Sequence, residues 1–223
     1  MYCFKKFKPL FEMDGERFDT FVLTGGRGSM KTGHAVRAVM VEMMKRRLRV
    51  VCFRETKTSQ KDSLINEFKE LIGGEFKGRG FVSNTETIKN VLTGASVTFL
   101  GLRDANENAR EAIKGLAQVD IWLVDEAQAV SSGVWDVLLK TIRKEGAKLI
   151  VIYNRIDDDL PVEKALFLDY YNKTAPEKTY FVEVNYPELE HTGLLSDKFI
   201  GYAELVKKNK PDEFERDYLN KPR

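Results

Sequence analysis

A glycine-rich segment between an apolar strand and an amphipathic helix carries the residues best suited to chemistry. Residues 24–32 read Thr-Gly-Gly-Arg-Gly-Ser-Met-Lys-Thr and follow the short apolar run 18–23. Glycines let successive backbone N–H groups point towards one anion, and the N-terminus of the next helix adds partial positive charge. This order of elements is typical of a phosphate-binding P-loop. Lys31 would reach the β- and γ-phosphates of a nucleotide, and the Thr32 hydroxyl would bind Mg²⁺.

One position departs from the usual P-loop pattern. Met30 stands where the pattern G-x-x-x-x-G-K-[ST] has its second glycine. If this position needs a positive φ angle, a methionine is less favourable there than a glycine. The alternative is a glycine-rich turn that binds no ligand. The predicted nucleotide contacts of the turn are Gly25, Gly26, Arg27, Gly28, Ser29, Met30, Lys31 and Thr32.

Two adjacent acids form the second group with chemical potential. Asp125 and Glu126 directly follow the apolar strand 119–124. In P-loop enzymes the first such acid holds Mg²⁺ through water, and the second polarises the water that attacks the γ-phosphate. Two acids could also simply begin a loop, but their combination with the upstream turn favours the catalytic interpretation. No acceptor site is recognisable in the sequence, so hydrolysis is favoured over transfer to another molecule.

The surrounding elements predict how these groups are positioned. Near-continuous apolar strands alternate with helices, which favours an α/β fold with a mostly parallel sheet covered on both faces. Ligands of such sheets bind at the carboxyl ends of the strands. The P-loop, Arg54, the acid pair and Asn154 would all meet at that edge. Strands are predicted at 18–23, 49–54, 119–124, 148–153 and 179–184, with a polar connection over 75–87 and a hairpin of 91–92 and 97–100 around 93–95. Helices are predicted from 32 and over 64–72, 134–143, 162–171, 196–207 and 211–219, and a polar, helix-prone stretch follows 101–104 and ends at 114–115.

Composition excludes several classes of protein. The 223 residues suffice for one large α/β domain with a small appendage, and 43% apolar and 31% charged content is ordinary for a globular protein. With only two cysteines and two histidines, the chain has few of the residues that a zinc site or a histidine-based triad requires. The net charge is only +2, so any nucleic-acid contact must come from a local patch. No run approaches the roughly 20 apolar residues of a membrane span, and no signal-peptide core is present, so a soluble cytoplasmic protein is expected.

Several short motifs occur in an order that resembles one protein family. They are Gly25-Gly26-Arg27-Gly28-Ser29-x-Lys31, Arg54-Glu55-Thr56 with Ser63, Phe99-x-Gly101-Leu102-Arg103-Asp104, Val124-Asp125-Glu126-Ala127, Trp135 with Arg143, Val184-Asn185-Tyr186 and Arg216-Asp217-Tyr218-Leu219. Together they resemble the ATPase domain of the large terminase subunit of tailed bacteriophages, the motor that packages DNA. The resemblance covers most of 18–220. It implies an ASCE-type P-loop NTPase core over 1–185 and a small helical linker or lid subdomain over 186–223.

The resemblance also implies roles for individual residues, with ATP and Mg²⁺ as cofactors. Lys31 and Glu126 take catalytic roles, and Thr32 and Asp125 hold the metal. Arg27 matches a family arginine suited to stabilising transition-state charge, within its own subunit or across an interface; a structural salt bridge is the alternative. Asn154 falls at the coupling position, which senses the γ-phosphate. The family often has Asn-Pro there, whereas this chain has Asn-Arg, and a buried amide that caps the strand is the alternative.

The partners implied by the resemblance are double-stranded DNA, a portal protein, a small terminase subunit and further copies in a ring, in the host cytoplasm. DNA would be held through its phosphates. The family's nuclease domain has no room before residue 223, so cleavage activity is not expected, and residues 157–159 are expected to form a solvated loop. The candidate DNA contacts are Lys57, Lys61, Arg103, Arg110 and Lys114.

Two other functions are compatible with the same residues. One is a helicase-like P-loop ATPase that acts on another polymer. The other is a nucleotide-gated assembly module that binds ATP with little turnover, and Met30 keeps this second alternative open because it could disturb the loop geometry.

Overall fold

The computed structural model describes residues 3–54, 61–84, 87–101, 113, 115–116 and 118–222, without the side chains of residues 54 and 61–63. Within these ranges the strands are β1 (Thr20–Thr24), β2 (Arg49–Arg54), β3 (Phe81–Ser83), β4 (Thr87–Asn90), β5 (Ser96–Gly101), β6 (Ile121–Val124), β7 (Lys148–Tyr153) and β8 (Thr179–Glu183). The α-helices are α1 (Lys31–Lys45), α2 (Lys61–Gly73), α3 (Ser132–Thr141), α4 (Pro161–Ala165), α5 (Tyr186–Leu189), α6 (Asp197–Asn209) and α7 (Pro211–Tyr218). Short 3₁₀ helices span Lys5–Glu12 and Ala127–Ala129.

The strands form one mostly parallel sheet, as predicted. Their order is β3-β4-β5-β2-β6-β7-β1-β8. The six strands from β5 to β8 in this order run parallel, while β3 and β4 pair antiparallel. Strand β7 lies between β1 and β6. The strand that precedes Asn154 therefore separates the strand that leads into the P-loop from the strand that leads into the acid pair.

Helices cover both faces of the sheet, because side chains alternate along the buried strands. Phe21 and Leu23 of β1 belong to the hydrophobic cluster that includes α1 and α2, while Val22 belongs to the cluster that includes α3 and α4. The N-terminal 3₁₀ helix packs on α1, where the Phe7 ring stacks on His34 with 4.4 Å between the ring centroids. None of the helices in the described residues has the length and apolar character that a bilayer crossing requires.

The C-terminal helices have a hydrophobic cluster of their own. Tyr186, Ala203, Val206, Phe214 and Tyr218 form it, and the rings of Phe214 and Tyr218 stack 5.1 Å apart. Helix α5 begins with a capping box: the Asn185 side chain accepts the backbone N–H of Glu188, and the Glu188 side chain accepts the backbone N–H of Asn185. We refer to residues 186–222 as the C-terminal helical segment. The predicted division at residue 185 stays a prediction.

Three local predictions differ from the structure. The polar connection over 75–87 contains β3, a three-residue strand formed through pairing with β4. The hairpin around 93–95 is confirmed, but Val91 and Leu92 lie exposed in its turn because β4 ends at Asn90. The helix expected over 162–171 is only α4, since Phe167 takes a φ of 53° that a helix cannot contain. Most of the helix-prone stretch that ends at 114–115 lies outside the described residues.

Candidate nucleotide-binding site

A cavity of about 240 Å³ opens at the carboxyl ends of β1, β6 and β7. Its lining side chains come from six separate elements or turns. Five residues predicted to act together, Lys31, Thr32, Asp125, Glu126 and Asn154, all line it. The further lining residues are Glu67, Gln128, Ile152 and Tyr153. The predicted convergence at this edge of the sheet is therefore present in the structure.

Lys31 is buried at the head of this cavity. Its Nζ donates to the Gly25 carbonyl at 2.5 Å, to the Ser29 hydroxyl at 2.8 Å and to Asn154 Oδ1 at 2.9 Å. Burial lowers the pKa of the amine to about 7, although the carboxylates of Asp125 and Glu183 act to raise it. A buried amine with such a pKa gains much from a neighbouring anion, because the anion stabilises its charged form.

Met30 adopts the backbone conformation that makes glycine usual at its position. Its φ is 57° and its ψ is 20°, in the left-handed region. For a residue with a side chain this conformation costs about 1–2 kcal/mol. The positive φ on which the expectation for Met30 depends is therefore present, and the turn nevertheless forms and leads directly into α1.

Thr32 and Asp125 bring a hydroxyl and a carboxylate to one point. Thr32 Oγ1 lies 3.4 Å from Asp125 Oδ1, which also accepts the backbone N–H of Glu126 at 3.1 Å. In the described residues no group of three or more His, Cys, Asp or Glu could hold a metal by itself. The two oxygens fit Mg²⁺, which typically takes one or two protein ligands and completes its shell with phosphate oxygens and water.

Glu126 occupies a strained backbone conformation beside this pair. Its φ is 53°, in the left-handed region, although it is not a glycine. Strained residues of this kind concentrate at functional sites, where the surrounding structure holds them in place. Here the strain lies at the residue that the sequence assigns to activating water.

Asn154 connects the two halves of the cavity. Its side chain accepts from Lys31, and its backbone N–H donates to Gln128 Oε1 at 3.2 Å. Gln128 lies in the 3₁₀ helix that follows the acid pair. The end of β7 thus contacts both the P-loop lysine and the segment after β6. Its role in coupling hydrolysis to motion stays a prediction.

Arg27 lies outside the cavity lining. Its backbone N–H donates to the Asp217 carbonyl at 2.6 Å, and its Nε lies 3.5 Å from Asp217 Oδ2. The side chain is 69% exposed. The salt bridge that the sequence leaves open as an alternative is therefore present, and the role of Arg27 towards a phosphate stays a prediction.

The glycines of the turn allow both the end of β8 and the C-terminal helical segment to approach closely. A Cβ on Gly25 would lie 1.8 Å from the Val184 carbonyl oxygen, and one on Gly26 would lie 2.5 Å from the Tyr218 main chain. Gly28, with a φ of 74°, packs against the ring of Phe199. These contacts add a second requirement for glycine, besides the phosphate approach that the motif predicts. The N–H of Gly26 also donates to Asn185 Oδ1 at 2.9 Å.

Asn220 joins the end of the described chain to the edge of the sheet behind the P-loop. This buried side chain donates to Thr24 Oγ1 at 2.9 Å and to Glu183 Oε1 at 3.1 Å. Its Oδ1 accepts the backbone N–H of Arg155 at 2.7 Å. The carboxyl ends of β1, β7 and β8 are therefore tied to the exit of the C-terminal helical segment. The sequence gives no signal for this lone asparagine.

Glu67 is a cavity residue that sequence reasoning missed. It belongs to α2 and is partly buried; burial raises the pKa of its carboxyl, while Arg37 acts to lower it. A signal was available, because Glu67 lies three residues after Leu64 and four before Leu71, on the apolar face of the helix. The side chains of the candidate DNA contacts, and that of Arg54, lie outside the part of the chain that the structure describes.

Residues 17–220 match a protein-family model described as the phage terminase large subunit. The comparison with curated proteins gives no significant match. Several solved structures are similar to the chain. The large terminase of a thermophilic bacteriophage has a TM-score of 0.72 at 14% identity, over 96% of this chain and 52% of that one. The HK97 bacteriophage large terminase has the same TM-score and identity, over 100% and 51% of the two chains.

The chain thus spans about half the length of these two relatives. The first of them, which we call the thermophilic-phage terminase, has also been solved in complex with ADP and with ATP-gamma-S. The large terminase ATPase domain of Thermus phage P74-26 is similar over 92% of its own length, with 95% of this chain covered, a TM-score of 0.66 and 14% identity. These likenesses confirm the predicted P-loop NTPase fold.

Proposed function

Because the chain belongs to the phage terminase large subunit family, we propose that it is the ATP-hydrolysing motor part of such a subunit. ATP hydrolysis would drive double-stranded DNA into a procapsid. The observation that carries this proposal is the convergence of Lys31, Thr32, Asp125 and Glu126 on one cavity at the carboxyl edge of the sheet. The nucleotide complexes of the thermophilic-phage terminase support ATP as the ligand.

Phosphate binding follows from the P-loop and its lysine. The triphosphate would replace the Gly25 carbonyl and Ser29 hydroxyl as the partners of the Lys31 amine. The phosphate charge would raise the pKa of the amine from its value of about 7 and keep it protonated. The N-terminus of α1 would add partial positive charge on the same side.

Hydrolysis assigns different tasks to the neighbouring acids. Thr32 and Asp125 would hold Mg²⁺, which neutralises the charge that develops on the phosphates when it is bound. Glu126 would orient the attacking water and accept its proton. Asn154, which contacts Lys31, would respond to the loss of the γ-phosphate. Arg27 would stabilise the transition state after leaving Asp217, or would act on the site of a neighbouring copy.

The polymer and the protein partners are proposed from the family alone. They are double-stranded DNA, a portal protein and a small terminase subunit, with several copies of the chain in a ring in the host cytoplasm. DNA held by its phosphates would bind with strong salt dependence and little sequence preference. A net charge of only +2 requires a local basic patch for this contact.

Glu126→Gln tests the chemistry, with Glu145→Gln as a matched change at an exposed acid. We expect Glu126→Gln to bind a fluorescent ATP analogue with nearly normal affinity and to hydrolyse ATP at least about 100-fold more slowly, since it removes the general base. Glu145→Gln should match the wild type in both assays. Wild-type hydrolysis by Glu126→Gln would contradict the proposed chemistry.

The polymer requires a separate measurement. ATP turnover should rise with duplex DNA, and this stimulation should fall steeply as salt is added. Stimulation by single strands alone would favour the helicase-like alternative. Nucleotide binding without turnover, even in an assembled ring on portal, would favour the nucleotide-gated module.

A further inference from the structure

An acidic and aromatic surface lies beside the edge strand β8. It surrounds a cavity of about 470 Å³ between α4 and the turn that follows β7. Four carboxylates line this cavity against two cations, which leaves a net charge of −2: Asp158, Asp159, Glu163 and Asp169 against Arg155 and Lys164. The aromatic side chains of Phe167 and Tyr171 line it too and are exposed. We call Asp157, Asp159, Asp169, Phe167 and Tyr171 the acidic face.

One feature of this surface is unexplained by folding within one chain. Phe167 is 82% exposed and has a φ of 53°, a conformation that is unfavourable for a bulky residue. A partner could cover this ring.

A surface with the opposite charge lies at the other edge of the sheet. Lys77, Arg79 and Lys89 are exposed around the edge strand β3 and its hairpin. Beside them lie Val82 and Leu92, the second of which is 76% exposed. These five residues form what we call the basic face. Within the described ranges, none of the three cations of the basic face forms an ion pair with a carboxylate.

The strand order places the two faces far apart in one molecule. Strands β3 and β8 are the two ends of the sheet, so the faces cannot meet within a chain. Two copies can bring them together, with aromatic and aliphatic side chains at the centre and opposite charges around them. Such a contact combines the apolar anchors and complementary charge that are typical of specific interfaces.

We propose that the basic face of one copy docks on the acidic face of a second copy of this chain. The contact is head to tail, so each copy of a pair keeps one free face, and the assembly can grow until it closes into a ring or continues as a filament. The proposal assigns surfaces to a contact between copies and is independent of the chemistry at Glu126. The alternative is that the lysines of the β3 edge only prevent unwanted strand pairing.

Charge reversal tests the pairing of the two faces. Asp157→Lys with Asp159→Lys makes both faces basic, while Lys77→Glu with Arg79→Glu makes both acidic. We expect sedimentation velocity at low salt to show concentration-dependent association for the wild type and its loss in each double variant. An equal mixture of the two variants, or one chain with all four changes, should associate again. Loss without recovery in either, or no loss in either double variant, would overturn the proposal.

Carbodiimide crosslinking locates the contact directly, because it joins a lysine amine to a carboxylate only where the two touch. In an equal mixture of unlabelled and isotope-labelled wild type, mixed-label peptides should join Lys77 or Lys89 to Asp157, Asp159 or Asp169. Mixed-label peptides from other surfaces alone, or none, would overturn the assignment of the faces.

Phe167→Asn separates docking from folding. Asparagine tolerates a positive φ better than phenylalanine does, so the thermal stability of the dilute protein should stay the same or rise. Self-association should weaken by about tenfold, because an aromatic anchor is lost. Unchanged association would remove Phe167 from the contact.

Discussion

The buried amine of Lys31 makes a quantitative prediction about stability and pH. Its pKa is about 7 in the folded protein against 10.5 for an ordinary lysine. Between these values the unfolded chain binds the proton and the folded protein does not. The free energy of unfolding must therefore rise with pH across this window. The destabilisation is fully present below about pH 7 and is lost as pH rises towards 10.5.

The size of the effect follows from the two pKa values. A difference of about 3.5 units corresponds to at most about 5 kcal/mol, since one unit is about 1.4 kcal/mol. From about pH 7 to about pH 9 the contribution of Lys31 should change by about 2 kcal/mol. For a chain of this length that is a shift of roughly 4–8 °C in the melting temperature.

Urea unfolding of the wild type and of Lys31→Met measures this contribution. The buried Trp122 and Trp135 provide the fluorescence signal. Other groups titrate in both proteins and cancel in the difference between the two free energies of unfolding. We expect the wild type to gain about 2 kcal/mol relative to Lys31→Met over this pH range. A difference that is flat or falls with pH would refute the assignment of a depressed pKa to Lys31.

Further predictions concern the cavity and the packing around it. Glu67→Gln should weaken Mn²⁺ binding several-fold in the presence of an ATP analogue, because it removes a negative charge from the cavity that Thr32 and Asp125 also line. Electron paramagnetic resonance measures the affinity, and an unchanged value would limit Glu67 to a structural role. Gly26→Ala should lower the free energy of unfolding by roughly 2–3 kcal/mol because its Cβ would meet the Tyr218 main chain. Gly201→Ala, in an open position of α6, should raise it by about 0.5–1 kcal/mol, and equal effects of the two alanines on urea unfolding would contradict the close approach. Asn220→Ala should lower it by about 2–4 kcal/mol, since several buried groups lose their partner; a loss under about 0.5 kcal/mol in the same assay would contradict that role.

The cavity was predictable because of where its residues stand relative to buried strands. Lys31, Asp125 and Asn154 each follow a strand of the parallel sheet, and the carboxyl ends of parallel strands meet at one edge. The apolar strands and the amphipathic α1 could be recognised from periodicity alone. From these two regularities alone, both the fold and the position of the five predicted residues in one cavity could be predicted.

Contacts between distant parts of the chain were not predictable in this way. The bond from Asn185 to Gly26 and those from Asn220 to Thr24 and Glu183 join residues far apart in sequence, and no periodicity marks them. The sequence pattern predicts a helix that continues to residue 171, whereas α4 ends at Ala165. This end was not predictable because Phe167 adopts a positive φ that its side chain disfavours. Strand β3 has three residues, too few for a pattern, and depends on its neighbour.

The position of β7 between β1 and β6 has a consequence for the width of the site. Neighbouring strands lie about 4.8 Å apart, so the main chains that lead to the lysine and to the acids are separated by roughly 9–10 Å. That span leaves room for a phosphoryl group, a cation and a water side by side. The dimension belongs to the topology of the sheet, and substitutions that repack its strands without reordering them would leave it unchanged.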